Sequence, residues 1–153
     1  MLMFKKALMM IIFAMVAWVL LTNTAMANTG NSETLTSLSD LQWEYRVVLI
    51  QVEGFDKGSD MASVLKHSAA ELDDRNIIWF VVANQQVLSN LADASVISSE
   101  FNASVIDVLK ANNTNIVLIG KDGGIKYRSP HIDLSVIFNR IDQMPMRRLE
   151  MSN

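Results

Sequence analysis

Two histidines, His67 and His131, are the side chains of this sequence best suited to proton transfer or metal binding, and there is no cysteine. A serine nucleophile needs a base beside it, and no local motif brings either histidine to Ser59. The histidines do not stand at metal-ligand spacing, alone or with Asp73 or Asp133, so no metal or other cofactor is expected. Asp56, Ser59 and Asp60 suit a helix start, where short polar side chains accept from backbone N–H groups that have no partner in the first turn. On this reading His67 is a partly exposed helix residue, and His131 is a loop residue ahead of a capping Asp133.

A second constellation is ionic. Lys121, Lys126 and Arg128 surround a glycine turn, Arg147 and Arg148 lie near the C-terminus, and Asp74, Asp142 and Glu150 are available carboxylates. A planar guanidinium takes a carboxylate through two parallel hydrogen bonds. Read functionally, Asp74, Arg75, Lys121, Arg128 and Arg147 make a patch for an anionic ligand or a partner. Read structurally, the same charges form ion pairs that pin the C-terminal tail to the sheet edge. Lys121-Asp-Gly-Gly124 has the glycines of a phosphate loop but joins two strands with no helix after it, so it reads as a tight turn. Met144, Met146 and Met151 read as packing residues.

The elements that must position these groups follow from the apolar pattern. Residues 46–52 and 77–83 are continuous apolar runs, suited to central strands buried on both faces. Between them Met61, Val64, Leu65, Ala69 and Leu72 recur at helical spacing, with Ser59 or Asp60 as the cap and an end near residues 73–76. That order predicts a parallel βαβ unit. Residues 38–43 predict a short turn that tucks Leu41 and Trp43 onto the domain, and residues 84–99 read mostly as loop. Phe101, Val105, Val108 and Leu109 predict a helix from Ser98. Residues 116–119 and 125–128 predict a hairpin. Asp133 caps a last helix with Leu134, Ile137, Phe138, Ile141 and Met144 on one face, and Pro145 is expected to end it.

The N-terminus reads as a leader peptide. Lys5 and Lys6 precede a 15-residue apolar stretch, residues 7–21, and Ala25-Met-Ala27 is a small-x-small cleavage site before Asn28. A span needs roughly 20 apolar residues, so the expectation is a signal peptide over residues 1–27, a flexible leader over 28–37, and one domain over 38–153. The product is expected to be exported, periplasmic or extracellular, touching the membrane only during export. The thirteen basic residues include both leader lysines, so beyond the leader eleven face all sixteen acids and the formal charge moves from −3 to −5. That balance argues against nucleic acid as a partner.

Four segments carry a family resemblance: Leu41-x-Trp43 with Arg46-Val-Val-Leu49, Leu72-x-Asp74-Arg75, Leu118-Ile-Gly-Lys-Asp-Gly-Gly-Ile-Lys-Tyr-Arg128, and Ile141-Asp-x-Met-Pro-Met-Arg-Arg-x-Glu-Met151. In them the chain resembles a bacterial family of small exported proteins of unknown function with a thioredoxin-like, peroxiredoxin-related domain. A related domain occurs in animal sushi-repeat and coiled-coil-containing matrix proteins. The resemblance implies an α/β fold of order β-α-β-α-β-β-α, with a mixed sheet of about four strands and helices on both faces. In thiol enzymes of that fold the reactive cysteine lies between the first strand and its helix, and a proline precedes the third strand. Here those places hold residues 53–60, without a thiol, and Asn113-Thr-Asn115. The expectation is a monomeric binding module for a protein or small anionic partner, meeting it between residues 54–60 and 113–115. Two alternatives stay open: a non-thiol enzyme or redox accessory using Asp74, Arg75, Lys121 and Arg128, and a structural envelope or matrix component.

Overall fold

The first apolar run forms β1 (Arg46–Val52) and the second forms β2 (Ile77–Ala83), paired in parallel from Arg46↔Ile77 to Val52↔Ala83. The computed structural model describes residues 34–92 and 96–152. The expected signal peptide, with Ala25, Ala27 and Asn28, lies outside the described residues, and among those described no helix is long and apolar enough to cross a membrane. Between the two strands run α1 (Phe55–His67) and α2 (Ala69–Asp74). β3 (Gln86–Ser89) follows β2, α3 (Ser99–Asn112) precedes β4 (Ile116–Ile119), and β5 (Ile125–Ser129) leads into α4 (Leu134–Asp142) and α5 (Pro145–Ser152). The five-stranded sheet has the order β3-β2-β1-β4-β5, and every pair except β1 with β2 is antiparallel.

Two apolar layers sandwich this sheet. Val48, Ile50, Trp79 and Val81 pack under Ala62 and Leu65 of α1, Leu72 of α2, and Ile137 and Ile141 of α4. Val47, Leu49, Phe80 and Val82 meet Phe101, Val105 and Leu109 of α3 on the other face, with Leu41 from a 3-10 turn over Leu38–Leu41. Every residue of β2 is buried, which is why that run shows no alternation of polar and apolar residues.

The sequence reading needs correction at several points. The sheet has five strands rather than about four, because residues 86–89, read as loop, return along β2 as β3. Asn84 and Gln85 both take positive φ, 49° and 67°, the backbone of a two-residue hairpin turn whose twist matches the strands. One helix was expected between β1 and β2, and the chain forms two, broken at Ser68. α1 begins four residues before Ser59: Gly54, at φ 87°, is its N-cap, and no side chain caps it. Asp56, Ser59 and Asp60 therefore lie within the helix. α4 does end ahead of Pro145, at Asp142, but Pro145 then starts a helix that was not expected, α5, since the first helical position needs no N–H partner. Trp43 is 66% exposed while Leu41 is buried, and of the three C-terminal methionines only Met144 packs on the core.

The other expected caps and turns are observed. Ser98 accepts from Phe101 N–H, and Asp133 accepts from the N–H groups of Ser135 and Val136. The residue 121–124 turn carries Gly123 at φ 76°. Leu35, in the segment expected as leader, pairs with Ile97 beside the sheet.

Candidate functional site

The sheet has two ends of opposite character. At the end where β1 starts, charged side chains are spent on one another. Arg46, 1% exposed, lies in the layer under α1 and α4 and donates from both terminal nitrogens to Glu150 (3.1 and 3.2 Å) and to the Arg75 carbonyl (2.8 Å). Glu150 also takes Lys121 Nζ at 2.9 Å. Arg75 grips Asp142 through Nε (3.0 Å) and a terminal nitrogen (2.8 Å), with its guanidinium 4.7 Å from the Phe138 ring centre. Arg147, buried although charged, donates to the Asp74 carbonyl at 2.6 Å and to its carboxylate, and reaches Asp142 at 3.4 Å.

The carboxylates titrate accordingly. The hydrogen bonds from Arg75 hold Asp142 below the ordinary carboxylate value. Burial works against ionising Glu150, and the bonds from Lys121 and Arg46 outweigh it, so this carboxyl is also lowered. Arg75, Arg147, Asp74 and Asp142 thus form one closed group, which Lys121 joins through Glu150 and Arg46. Arg128 is not part of it: its Nε donates to Asn112 Oδ1 at 2.5 Å, on the α3 side. The sequence pairing of Arg128 with a carboxylate is therefore replaced by an amide, because β5 carries Arg128 alongside the end of α3. Lys126 pairs with Asp122 at 2.6 Å across the turn. Arg46 and its link to Glu150 escaped the sequence reading, since a cation opening an apolar run reads as a strand boundary.

At the other end, where β1 finishes, polar groups are unspent. A cleft of about 440 Å³ lies between residues 50–53 and the loops at 115–116 and 130–132, and Lys57 and His131 line it. A second cleft of about 500 Å³ lies on the α3 side, with Asn84, Gln85, Asp107 and Lys110 on its wall. Gln51, Val52 and Glu53 form the ridge shared by both. Asn115 shapes the first cleft: its carbonyl accepts from Gln51 N–H (2.7 Å) and its amide donates to the Pro130 carbonyl (3.0 Å). In open α/β sheets ligands bind beyond the carboxyl ends of parallel strands, and both clefts sit there. Among the described residues, the side chains of Gln51, Glu53, Lys57, Asp107, Lys110 and His131 have no intramolecular hydrogen-bond or ion-pair partner.

Of the residues weighed first from sequence, His131 reaches this site. His67 is exposed on α1 and bonded through Nδ1 to the Ser63 carbonyl at 2.7 Å, and Ser59 lies among neither cleft's walls. Among the described residues no base is hydrogen-bonded to that serine. Among the described residues no group of three or more His, Asp or Glu is placed to hold a metal ion. Lys57 and Asn115, which line the first cleft, fall within the two segments expected to meet a partner, 54–60 and 113–115, whereas Gln51 beside them was not singled out from sequence.

Comparison with curated proteins and with solved structures gives no match. A family model described as "Domain of unknown function (DUF4174)" matches residues 37–150, from just before the first 3-10 turn to the Glu150 ion pair. The chain belongs to the DUF4174 family.

Proposed function

We propose that this chain is an exported, thioredoxin-like, cysteine-free domain that binds a protein or a small anionic partner at the end of β1. The observation that carries the reading is the contrast between the two ends of the sheet. Arg46, Arg75, Lys121 and Arg147 at the β1 start are closed into internal pairs, whereas Lys57, Lys110, His131, Gln51 and Glu53 stand in open clefts with no intramolecular partner among the described residues. Unpaired polar groups converging on a concave surface are what a binding site offers. The order and sense of β2-β1-β4-β5 support the thioredoxin-like assignment. Export rests on the Lys5-Lys6, apolar and Ala25-Met-Ala27 pattern. With no thiol, the position before α1 supplies no nucleophile of the kind such folds use.

The enzyme alternative built on Asp74, Arg75, Lys121 and Arg128 draws no support from the geometry, because three of the four are committed to internal pairs and Arg128 lies apart. The test is a thermal-shift and calorimetric screen of the purified protein against phosphate, citrate and nucleotides, with a pulldown of envelope proteins alongside. A ligand of the native state raises the apparent melting temperature through mass action. The reading expects one class to bind and Lys57→Glu to weaken it about tenfold or more, with Lys126→Glu as a control outside the clefts. Binding that ignores Lys57→Glu and Lys110→Glu, or no binding in either arm, overturns it.

A further inference from the structure

Trp43 stands in left-handed backbone at φ 69°, and its side chain is 66% exposed. Glycine or asparagine takes that conformation readily, but a bulky residue there is an outlier. The turn enforces the geometry: Trp43 N–H donates to the Lys121 carbonyl at 2.6 Å, and Tyr45 N–H to the Leu41 carbonyl at 3.1 Å. Burial of the indole does not offset the strain, since the ring projects into solvent. A strained backbone that holds a large aromatic group outward is an observation about function rather than packing.

Its surroundings agree. Of the eight large apolar side chains exposed among the described residues, five lie at the end where β1 starts: Trp43, Tyr45, Met146, Leu149 and Met151. α5 brings the last three there, through Arg147 on Asp74 and Glu150 on Arg46 and Lys121. Apolar groups gathered at one place mark an interaction surface, where single scattered ones do not. The ion-pair network beneath sets the sign of the surface. Arg46, Arg147 and Lys121 turn inward, with side-chain exposures of 1%, 7% and 10%, and Arg148 is exposed on α5, while Asp74 is 60% and Asp142 31% exposed. Glu44 and Asp73, both exposed, add to the same rim. An exposed indole attracts a cationic group over its ring, and carboxylates exposed at the same end of the sheet offer that group ion pairs.

We infer that this surface, centred on Trp43, docks a basic, partly apolar segment of another protein. It is separate from the clefts at the far end of β1 and does not depend on their ligand. The probe is a short fluorescein-labelled peptide of alternating Lys and Leu, titrated with the purified protein and read by anisotropy, with a Glu-Leu peptide as the comparison. The Lys-Leu peptide is expected to bind saturably and the Glu-Leu peptide not. Trp43→Asn is expected to weaken binding about tenfold or more, as an anchoring Trp does, while its urea midpoint rises because asparagine fits the left-handed backbone. Glu44→Lys with Asp73→Lys is expected to weaken binding with the Trp intact. Equal binding of both peptides, binding unchanged in either variant, self-association that buries Trp43 in sedimentation, or preference for phosphatidylcholine vesicles over the peptide overturns the inference.

Discussion

Replacing Glu150 with glutamine removes the counter-charge of Arg46, the most deeply buried charged side chain among the described residues. Arg46 is 1% exposed, holds Glu150 through two nitrogens, keeps one further bond to the Arg75 carbonyl, and has an Nε with no partner. Glutamine preserves the size of the side chain and one acceptor oxygen, but it cancels the charge and one acceptor. Leaving a buried charge without its partner costs about 3–5 kcal/mol. Glu150 is 26% exposed, so water reaches one side of the pair and the lower end, about 3 kcal/mol, is expected. Urea denaturation reads it: at a slope of about 1–3 kcal/mol per molar, the midpoint falls by roughly 1–3 M. Arg46→Met supplies the second arm, because it removes the buried charge itself and leaves Glu150 with Lys121. It is expected to cost less than Glu150→Gln, and in its background Glu150→Gln is expected to keep less than half its effect. A Glu150→Gln protein within about 0.5 kcal/mol of the parent, or two effects that simply add, would falsify the claim that the pair acts as a unit.

Acid should act on the same network. Asp142 and Glu150 titrate below their ordinary values when folded, so the stability they contribute is full above the unfolded carboxylate range of about 3.9–4.3 and is lost as pH falls through the folded values. Urea midpoints from neutral pH downward should drop below about pH 5, and Asp142→Asn should be destabilised at pH 7 with a flatter acid slope; an unchanged slope refutes this. Gly58→Ala should destabilise by about 1–3 kcal/mol, since a Cβ there would lie 2.7 Å from the Ala83 Cβ in β2, and that overpacking exceeds the helix-propensity gain of about 1 kcal/mol. A higher urea midpoint would show that α1 can move off the sheet. Asn90 bridges the edge of β2 beyond β3, accepting from Trp79 N–H at 3.0 Å and donating to the Ile77 carbonyl at 3.1 Å. Asn90→Ala should cost about 1–3 kcal/mol and speed hydrogen exchange at Trp79, and unchanged exchange there would count against the bridge.

What the sequence revealed and what it hid divide along physical lines. β1 and β2 were legible because strands buried on both faces must be apolar throughout, and the residue 121–124 turn because Gly123 needs its positive φ. Ser98 and Asp133 announced their helices through side chains that cap. α1 did not, because Gly54 caps with backbone alone while Ser59 and Asp60, which look like caps, ride on the exposed side of the helix. β3 stayed hidden because its four residues are too few to show a period and its turn is Asn84-Gln85, without a glycine. Pro145 reads equally as a stop and as a first helical residue. The ionic residues were visible as types. Their partners depend on β1, α2 and α5 meeting in space, so Arg46 and Glu150, 104 positions apart, were not visible as a pair.

The two ends of the sheet are linked by what the network withholds. If Arg75, Arg147 and Lys121 were free, the β1-start end would be the cationic surface of the molecule and the natural place for an anion. Because they face inward on Asp74, Asp142 and Glu150, the outer surface there carries carboxylates and apolar groups with Arg148 as an exposed cation, and open cationic side chains stand beside the clefts at Lys57 and Lys110. The closure also holds the Trp43 turn, since Lys121 accepts the Trp43 N–H through its carbonyl and pairs with Glu150 through its Nζ. One substitution therefore separates the two surfaces: Glu150→Gln should loosen the Trp43 surface and weaken capture of the basic peptide, while any ligand of the Lys57 cleft keeps its affinity, measured on the folded fraction. Equal losses at both ends would mean that the sheet transmits the change, and the two surfaces would then have to be treated as one.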